Sequence, residues 1–303
     1  MRLHLPIFVI VLLLFSCKKD ETIVYQDNTI PDYSGIPTIV VQNYVNRMYI
    51  DLIGREPLDV EMDNHVAYLE ENGLSASARG VIADELMFST AYVEGDSTYN
   101  HAHFYRLYEL AKARFIEGAS EAVLQEDWAV LNSNAVNDSL NGNIAGYQFN
   151  RAQANKILDI LNSREQLRIE AITIDEMMRR MMFNSIYDDI NMNSFNFVNA
   201  TFDDLYFRFP TQDEFENAYQ IIEFNEPAII FGQVAANKPE YLDALTATSE
   251  FHEGMIYWAY QSLLARDPSS QEVFELIGNF QNTMNYQAVL KTVLITDEYA
   301  GFD

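Results

Sequence analysis

Arginine, proline and glutamate recur in this chain at one fixed spacing, Arg-x-Pro-x-x-x-Glu, and they do so three times. The copies are Arg55, Pro57 and Glu61; Arg208, Pro210 and Glu214; and Arg266, Pro268 and Glu272. Three guanidinium groups could form a binding set for acidic ligands, because an arginine fork matches a carboxylate in two parallel hydrogen bonds. The same residues can instead end one helix and start the next. Proline lacks an N–H and holds the residue before it in extended backbone, which stops a helix. A cation at a helix C-terminus meets the negative end of the dipole. The arginine is tied to the Pro-x-x-x-Glu element in every copy. Bracing is therefore the reading favoured, and these nine residues are expected to form structural corners.

Other candidate chemistry is thin. His101-Ala102-His103 is the only close histidine pair, and residues two apart on a helix point in well-separated directions. A metal would need them on an extended segment or a helix start, with Glu94 and Asp96 nearby in sequence, and a solvated helix N-terminus is the reading favoured. Asp189-Ile190-Asn191-Met192-Asn193 has the oxygen spacing that opens a calcium loop. Ser194 and Ala200 stand where that loop wants glycine and a closing glutamate, so a helix connection is expected. The Met177-Met178-Arg179-Arg180-Met181-Met182 run reads as core packing, with an adaptable apolar groove as the alternative. No metalloprotease, nucleophile-elbow, phosphate-loop or dinucleotide motif occurs. No catalytic residue, metal site or cofactor is expected.

The elements that must carry these residues are helices. Val41, Tyr44, Val45, Met48, Tyr49 and Leu52 follow i, i+3, i+4, i+7, i+8, i+11, one face of an amphipathic helix. The pattern persists without a convincing two-residue hairpin signal, so the fold class expected is all-α. Helices are predicted over 39–54, 59–72 and 75–92, and later over 119–132, 148–162 and 164–183. Asn132 to Gly146, rich in Asn, Ser and Gly, reads as a loop. Each copy is a helix, an Arg-x-Pro corner, a second helix and a third, giving three divergent repeats. Tyr44-Val45-Asn46 and Phe197-Val198-Asn199 open the first two, and Tyr260 and Leu263 hold the same register in the third. The endings match too, at Ser89-Thr90-Ala91-Tyr92, Ser249-Glu250-Phe251 and Thr296-Asp297-Glu298-Tyr299. Thr211-x-x-Glu214 and Ser269-x-x-Glu272 are capping boxes; in the first copy, where Leu58 replaces the hydroxyl, Asp59 is expected to cap one residue late. Residues 38–195 form an N-terminal helical region with the first repeat, and 196–303 a C-terminal region with the second and third.

At the N-terminus, Arg2 precedes an apolar run from Ile7 to Phe15, too short to span a bilayer, which takes about 20 residues. Leu14-Phe15-Ser16-Cys17 resembles the lipobox of bacterial lipoproteins. This resemblance implies a signal peptide over 1–16, acylation of Cys17, the chain's only cysteine, and a membrane held through lipid. Residues 17–37 then read as the acylated cysteine and a flexible tether. Lys18-Lys19-Asp20-Glu21 resembles the charged signals that send lipoproteins of the Bacteroidota to the cell surface, with a periplasm-facing protein as the alternative. The stretch Arg47 to Pro57 resembles an uncharacterised domain found beside cytochrome-like segments in planctomycete proteins. Leu263 to Pro268 is similar to a second uncharacterised helical domain of bacterial surface and phycobilisome-linker-like proteins. Neither implies a catalytic residue.

A formal charge of −26 repels phosphate backbones, so no nucleic-acid partner is expected. The resulting expectation is a lipid-anchored, non-enzymatic accessory subunit of an outer-membrane complex for uptake, secretion or protein assembly. The alternatives are a stand-alone glycan- or peptide-binding lipoprotein, or a hydrolase using unrecognised carboxylates.

Overall fold

The structure, a computed structural model, describes residues 32–95 and 97–302. The expected signal peptide, Cys17 and the charged run after it lie outside the described residues. Residues Tyr33–Asp303 form one compact unit, and it is all-α apart from two small hairpins.

The first repeat comprises α1 (Thr38–Leu52), α2 (Asp59–Glu71) and α3 (Ala76–Phe88). Its six-residue apolar stripe is buried along its whole length, so α1 is the most enclosed face of the N-terminal half. A hairpin of β1 (Tyr92–Val93) and β2 (Ser97–Thr98) leads to α4 (Tyr99–Phe115), which is capped by the Thr98 hydroxyl. Two long helices follow, α5 (Glu121–Leu140) and α6 (Ile144–Arg168), then α7 (Ile174–Met182) and α8 (Ser185–Asn191). The second repeat holds α9 (Ser194–Tyr206), α10 (Gln212–Phe224), the antiparallel pair β3 (Ala228–Ile230) and β4 (Gln233–Ala235), and α11 (Lys238–Thr246). The third holds α12 (Ser249–Leu264), α13 (Ser270–Thr283) and α14 (Tyr286–Leu294), closed by the single turn α15 (Asp297–Ala300).

Several expectations need correction. Asn132 to Gly146 is not a loop: α5 runs to Leu140, and the reversal takes only Asn141-Gly142-Asn143, with Gly142 at φ +72° and Asn143 capping α6. Pairing with α6 overrides the low helix propensity of the Asn and Ser residues. The break expected between 162 and 164 is absent too. Ser163, fully buried, returns its hydroxyl to the Asp159 carbonyl at 2.7 Å and α6 continues through it; the chain turns later, at Glu170 with φ +58°. The hairpin missed in the second repeat turns on Phe231-Gly232, both at positive φ (49° and 75°). That geometry fits a tight reversal, but Phe-Gly lacks the usual Asn or Asp signal. The tether expected to reach residue 37 ends earlier, because Tyr33 packs against Phe302 with its ring tilted at 59° and donates to Asp297 at 2.7 Å.

The first and third repeats close on each other. The Tyr44 hydroxyl donates to the Leu294 carbonyl at 3.1 Å, Arg47 donates to the Leu263 and Tyr299 carbonyls, and the Tyr299 hydroxyl donates to Asp51 at 2.7 Å. Arg79, only 1% exposed, pairs with Asp297 at 2.6 Å and donates to the Thr296 carbonyl. A buried cation is tolerated where it is paired and hydrogen-bonded, and here the partners come from the opposite end of the chain.

Candidate functional site

The three corners share one bonding scheme around the arginine and its glutamate. In each, the residue just before the arginine takes a left-handed step: Gly54 (φ 84°), Phe207 (φ 56°) and Ala265 (φ 55°). Only glycine does this without strain, so two copies hold a side chain there against its preference. The step folds the guanidinium back over an aromatic ring six residues earlier, 5.4 Å from Tyr49, 5.2 Å from Phe202 and 5.1 Å from Tyr260. After the proline, the glutamate at the third helical position accepts both guanidinium nitrogens, at 2.7 and 2.8 Å for Arg55–Glu61, 2.8 and 2.9 Å for Arg208–Glu214, and 3.0 and 2.7 Å for Arg266–Glu272. It also accepts the cap residue's N–H, from Leu58, Thr211 and Ser269. Asp59, expected as a late cap, is the first helical residue instead. Leu58 occupies the cap position and has no acceptor, so only the glutamate half of the box forms there.

The second and third corners add a carboxylate that the Arg-x-Pro spacing does not reveal. Arg208 also pairs with Glu250, and Arg266 with Glu298, from the first turns of α12 and α15. With the carbonyls of Phe209 and Asp267, each guanidinium makes five hydrogen bonds. Arginine has five N–H donors. Both are saturated, and neither offers a donor to an outside ligand. The arginine hydrogen bonds, helped by the cap N–H groups, hold the Glu214 and Glu272 carboxyls down at about 2.

The first corner extends inward. The Tyr99 hydroxyl donates to Glu61 at 2.6 Å and lies 2.9 Å from the Tyr49 hydroxyl, which lies 3.2 Å from His65 Nδ1. His65 Nε2 faces Glu85 at 3.5 Å. Burial pushes the Glu61 carboxyl up, yet the bonds from Arg55, Tyr99 and the Leu58 N–H bring it below its ordinary value. The chain of groups is a buried brace between α1, α2, α3 and α4.

The remaining candidates do not converge. His101 is exposed while His103 is buried, with Nδ1 3.2 Å from the Leu52 carbonyl, so the pair cannot share an ion. Burial lowers His103 to about 4, which keeps the ring neutral. Its Nε2 and Arg106 Nε are buried without a protein partner beside a cavity of about 30 Å³ lined also by Asp51, Trp258 and Tyr286. That volume suits a water molecule and not a substrate. Asn193 of the calcium-like run caps α9. Met177, Met178, Met181 and Met182 are all fully buried, as core packing requires. Among the described residues, no cluster of three His, Cys, Asp or Glu side chains could hold a metal ion.

What stands outside this internal bonding is the far end of the α5–α6 hairpin. Between Trp128 and Asn150 the only charged side chain is Asp138, and it accepts from Asn143 (2.9 Å) and Asn150 (2.8 Å) within the reversal. Beyond Leu124, α5 buries only Ala135. Val130, Val136, Leu140, Ile144 and Phe149 are 50–80% exposed. In a chain this acidic, a stretch with one charged residue and several solvent-facing apolar side chains makes the far end of the hairpin a candidate contact surface.

Comparison with known protein families, curated proteins and solved structures finds no match for this chain.

Proposed function

We propose that this chain is a lipid-anchored, cell-surface helical subunit that works non-enzymatically within an outer-membrane assembly for uptake, secretion or protein assembly. Cys17 would carry the anchor, and the α5–α6 hairpin would reach the partner. The observation that carries this reading is the hairpin itself: twenty residues of α5 extend about 30 Å. Among the described residues the side-chain hydrogen bonds of its distal half stay within the hairpin while apolar side chains face solvent. The saturated corners add support, because they give the body rigidity and leave its arginines no ligand.

Affinity purification of the full chain from detergent-solubilised membranes tests the proposal. A defined partner should co-purify with the native chain and be lost from a Leu140→Ser/Phe149→Ser variant of unchanged stability. Recovery of the native chain only as a lone monomer would sink it.

A second reading, binding of a glycan or peptide, is favoured by one feature. A groove of about 450 Å³ between the starts of α4 and α7 and the α13–α14 junction is lined by Phe88, Asn100, Arg168, Thr173, Asn285 and Gln287. Thermal shifts across a polysaccharide panel, abolished by Asn285→Ala, would favour it over the first.

A further inference from the structure

The three repeats provide an internal control: side chains that all copies share serve the corner, and side chains that one copy adds serve something else. The second copy adds an aromatic row on α10. Phe215 and Tyr219 stack at 5.7 Å and 22°, Tyr219 meets Phe224 edge-on at 5.9 Å, and Phe195 meets Phe215 at 5.1 Å. At the positions of Phe215 and Tyr219 the first copy has Met62 and Val66, and the third has Val273 and Ile277. An aliphatic residue therefore satisfies the architecture, and the rings are surplus to it.

Phe215, Tyr219 and Phe224 line an open hollow of about 410 Å³ together with Glu216, Gln220 and Glu226. Glu216 accepts from Gln212 at 2.6 Å and Glu226 from Gln220 at 3.4 Å; among the described residues neither has a cationic partner. The charge around them is one-sided. Residues 209–237 contain no Lys, Arg or His, but include Asp213, Glu214, Glu216, Glu223 and Glu226. Arg208, at the edge of this stretch, is saturated by Glu214, Glu250 and a carbonyl.

We propose that this aromatic–acidic hollow on α10 takes a cationic side chain, lysine or arginine, from a partner protein. An aromatic face attracts a cation through its quadrupole, and the two carboxylates add a charge that the protein itself leaves unmatched. An anionic ligand is repelled by the same field. A neutral sugar needs donors as well as acceptors, and the one lining amide already faces Glu226. The site does not depend on the hairpin or on the membrane assembly proposed above.

The test is calorimetric titration of the full chain, in detergent and at low salt, with acetyl-tetralysine amide. The variants carry the third repeat's residues, Phe215→Val and Tyr219→Ile, so the corner keeps side chains it is built to accept. Binding should weaken about two- to fivefold per ring removed and further in Glu216→Gln/Glu226→Gln, with the melting temperature of each variant unchanged. Equal affinity in the ring variants would reduce the effect to a diffuse acidic field and overturn the proposal. So would no binding of tetralysine, or saturation by cellotetraose in its place.

Discussion

The repeat body and the distal α5–α6 hairpin use opposite kinds of residue for opposite ends. In the body, many of the chemically potent side chains bond internally: Arg208 and Arg266 meet acceptors at every N–H, Arg79 pairs with Asp297 and donates to the Thr296 carbonyl, and His65 lies between the Tyr49 hydroxyl and Glu85. In the hairpin, chemically inert Val, Leu, Asn and Ser are the residues left facing water. Reactive residue types mark where this molecule is held together, and bland ones mark where it is open to contact.

The same substitution made in both regions gives the sharpest contrast. Gly254 lies where α12 crosses α9, and a β-carbon there would fall inside the van der Waals radius of the Leu205 carbonyl oxygen. Backbone cannot step aside, so Gly254→Ala should cost about 3 kcal/mol, read as a lowered urea midpoint. Gly146 meets only the ends of the Asn143 and Asp138 side chains. Gly146→Ala regains helix propensity as it displaces them, and its net effect should stay within about 1 kcal/mol. Similar losses at both sites would erase the distinction between a packed body and a self-contained arm.

Next in size is Arg208→Ala, which strands Glu214 and Glu250. Those side chains keep 21% and 31% exposure, so solvent screens the loss and about 1–2 kcal/mol is expected. Glu250→Gln in that background should then cost almost nothing, as a double-mutant cycle would reveal.

Acid should also act on the body. Glu214 and Glu272 have folded values near 2 against an ordinary 4.5. Their contribution is complete above about pH 4.5 and is lost as pH falls toward 2. Asp204 works the other way. Burial raises it to about 6 from 3.8, so its ionisation opposes folding and stability declines as pH rises from about 4 through 6. Urea midpoints should therefore peak where the two ranges meet, at about pH 4. Asp204→Asn should flatten the neutral side, and Glu214→Gln the acidic side.

The smallest stability effect is expected in the arm. Leu140→Ser and Phe149→Ser should each move stability by less than about 0.5 kcal/mol, while recovery of a partner falls. A large destabilisation would mean that these side chains belong to a core.

Much of the body could be read from the chain. The α1 stripe and two complete capping boxes follow from periodicity and spacing, and the recurring spacing marks the three corners. The pairing of each arginine with its own glutamate is not among the expectations, which place the arginine on the helix-end carbonyls. Other features escaped because they depend on comparing copies or on distant pairing. Aligning the copies at the arginine would have exposed the ring six residues before it and the left-handed residue beside it. Glu250 and Glu298 sit in endings that recur in sequence, yet their arginines are 42 and 32 residues away, and no local rule links them. The long hairpin was obscured by composition: Asn and Ser suggest a loop until a second helix lies alongside to pair with them.

The clasp between α1 and α15 has a consequence for how the chain matures. Tyr33, Asp51 and Arg79 find their partners more than 200 residues later, in the four-residue turn Asp297–Ala300. The first repeat therefore lacks this cover until more than 200 further residues have been made, and contacts of such long sequence separation form slowly. Under the export reading proposed above, late closure would leave the first repeat pliable while it threads a secretion channel, and locked once the Asp297–Ala300 turn emerges.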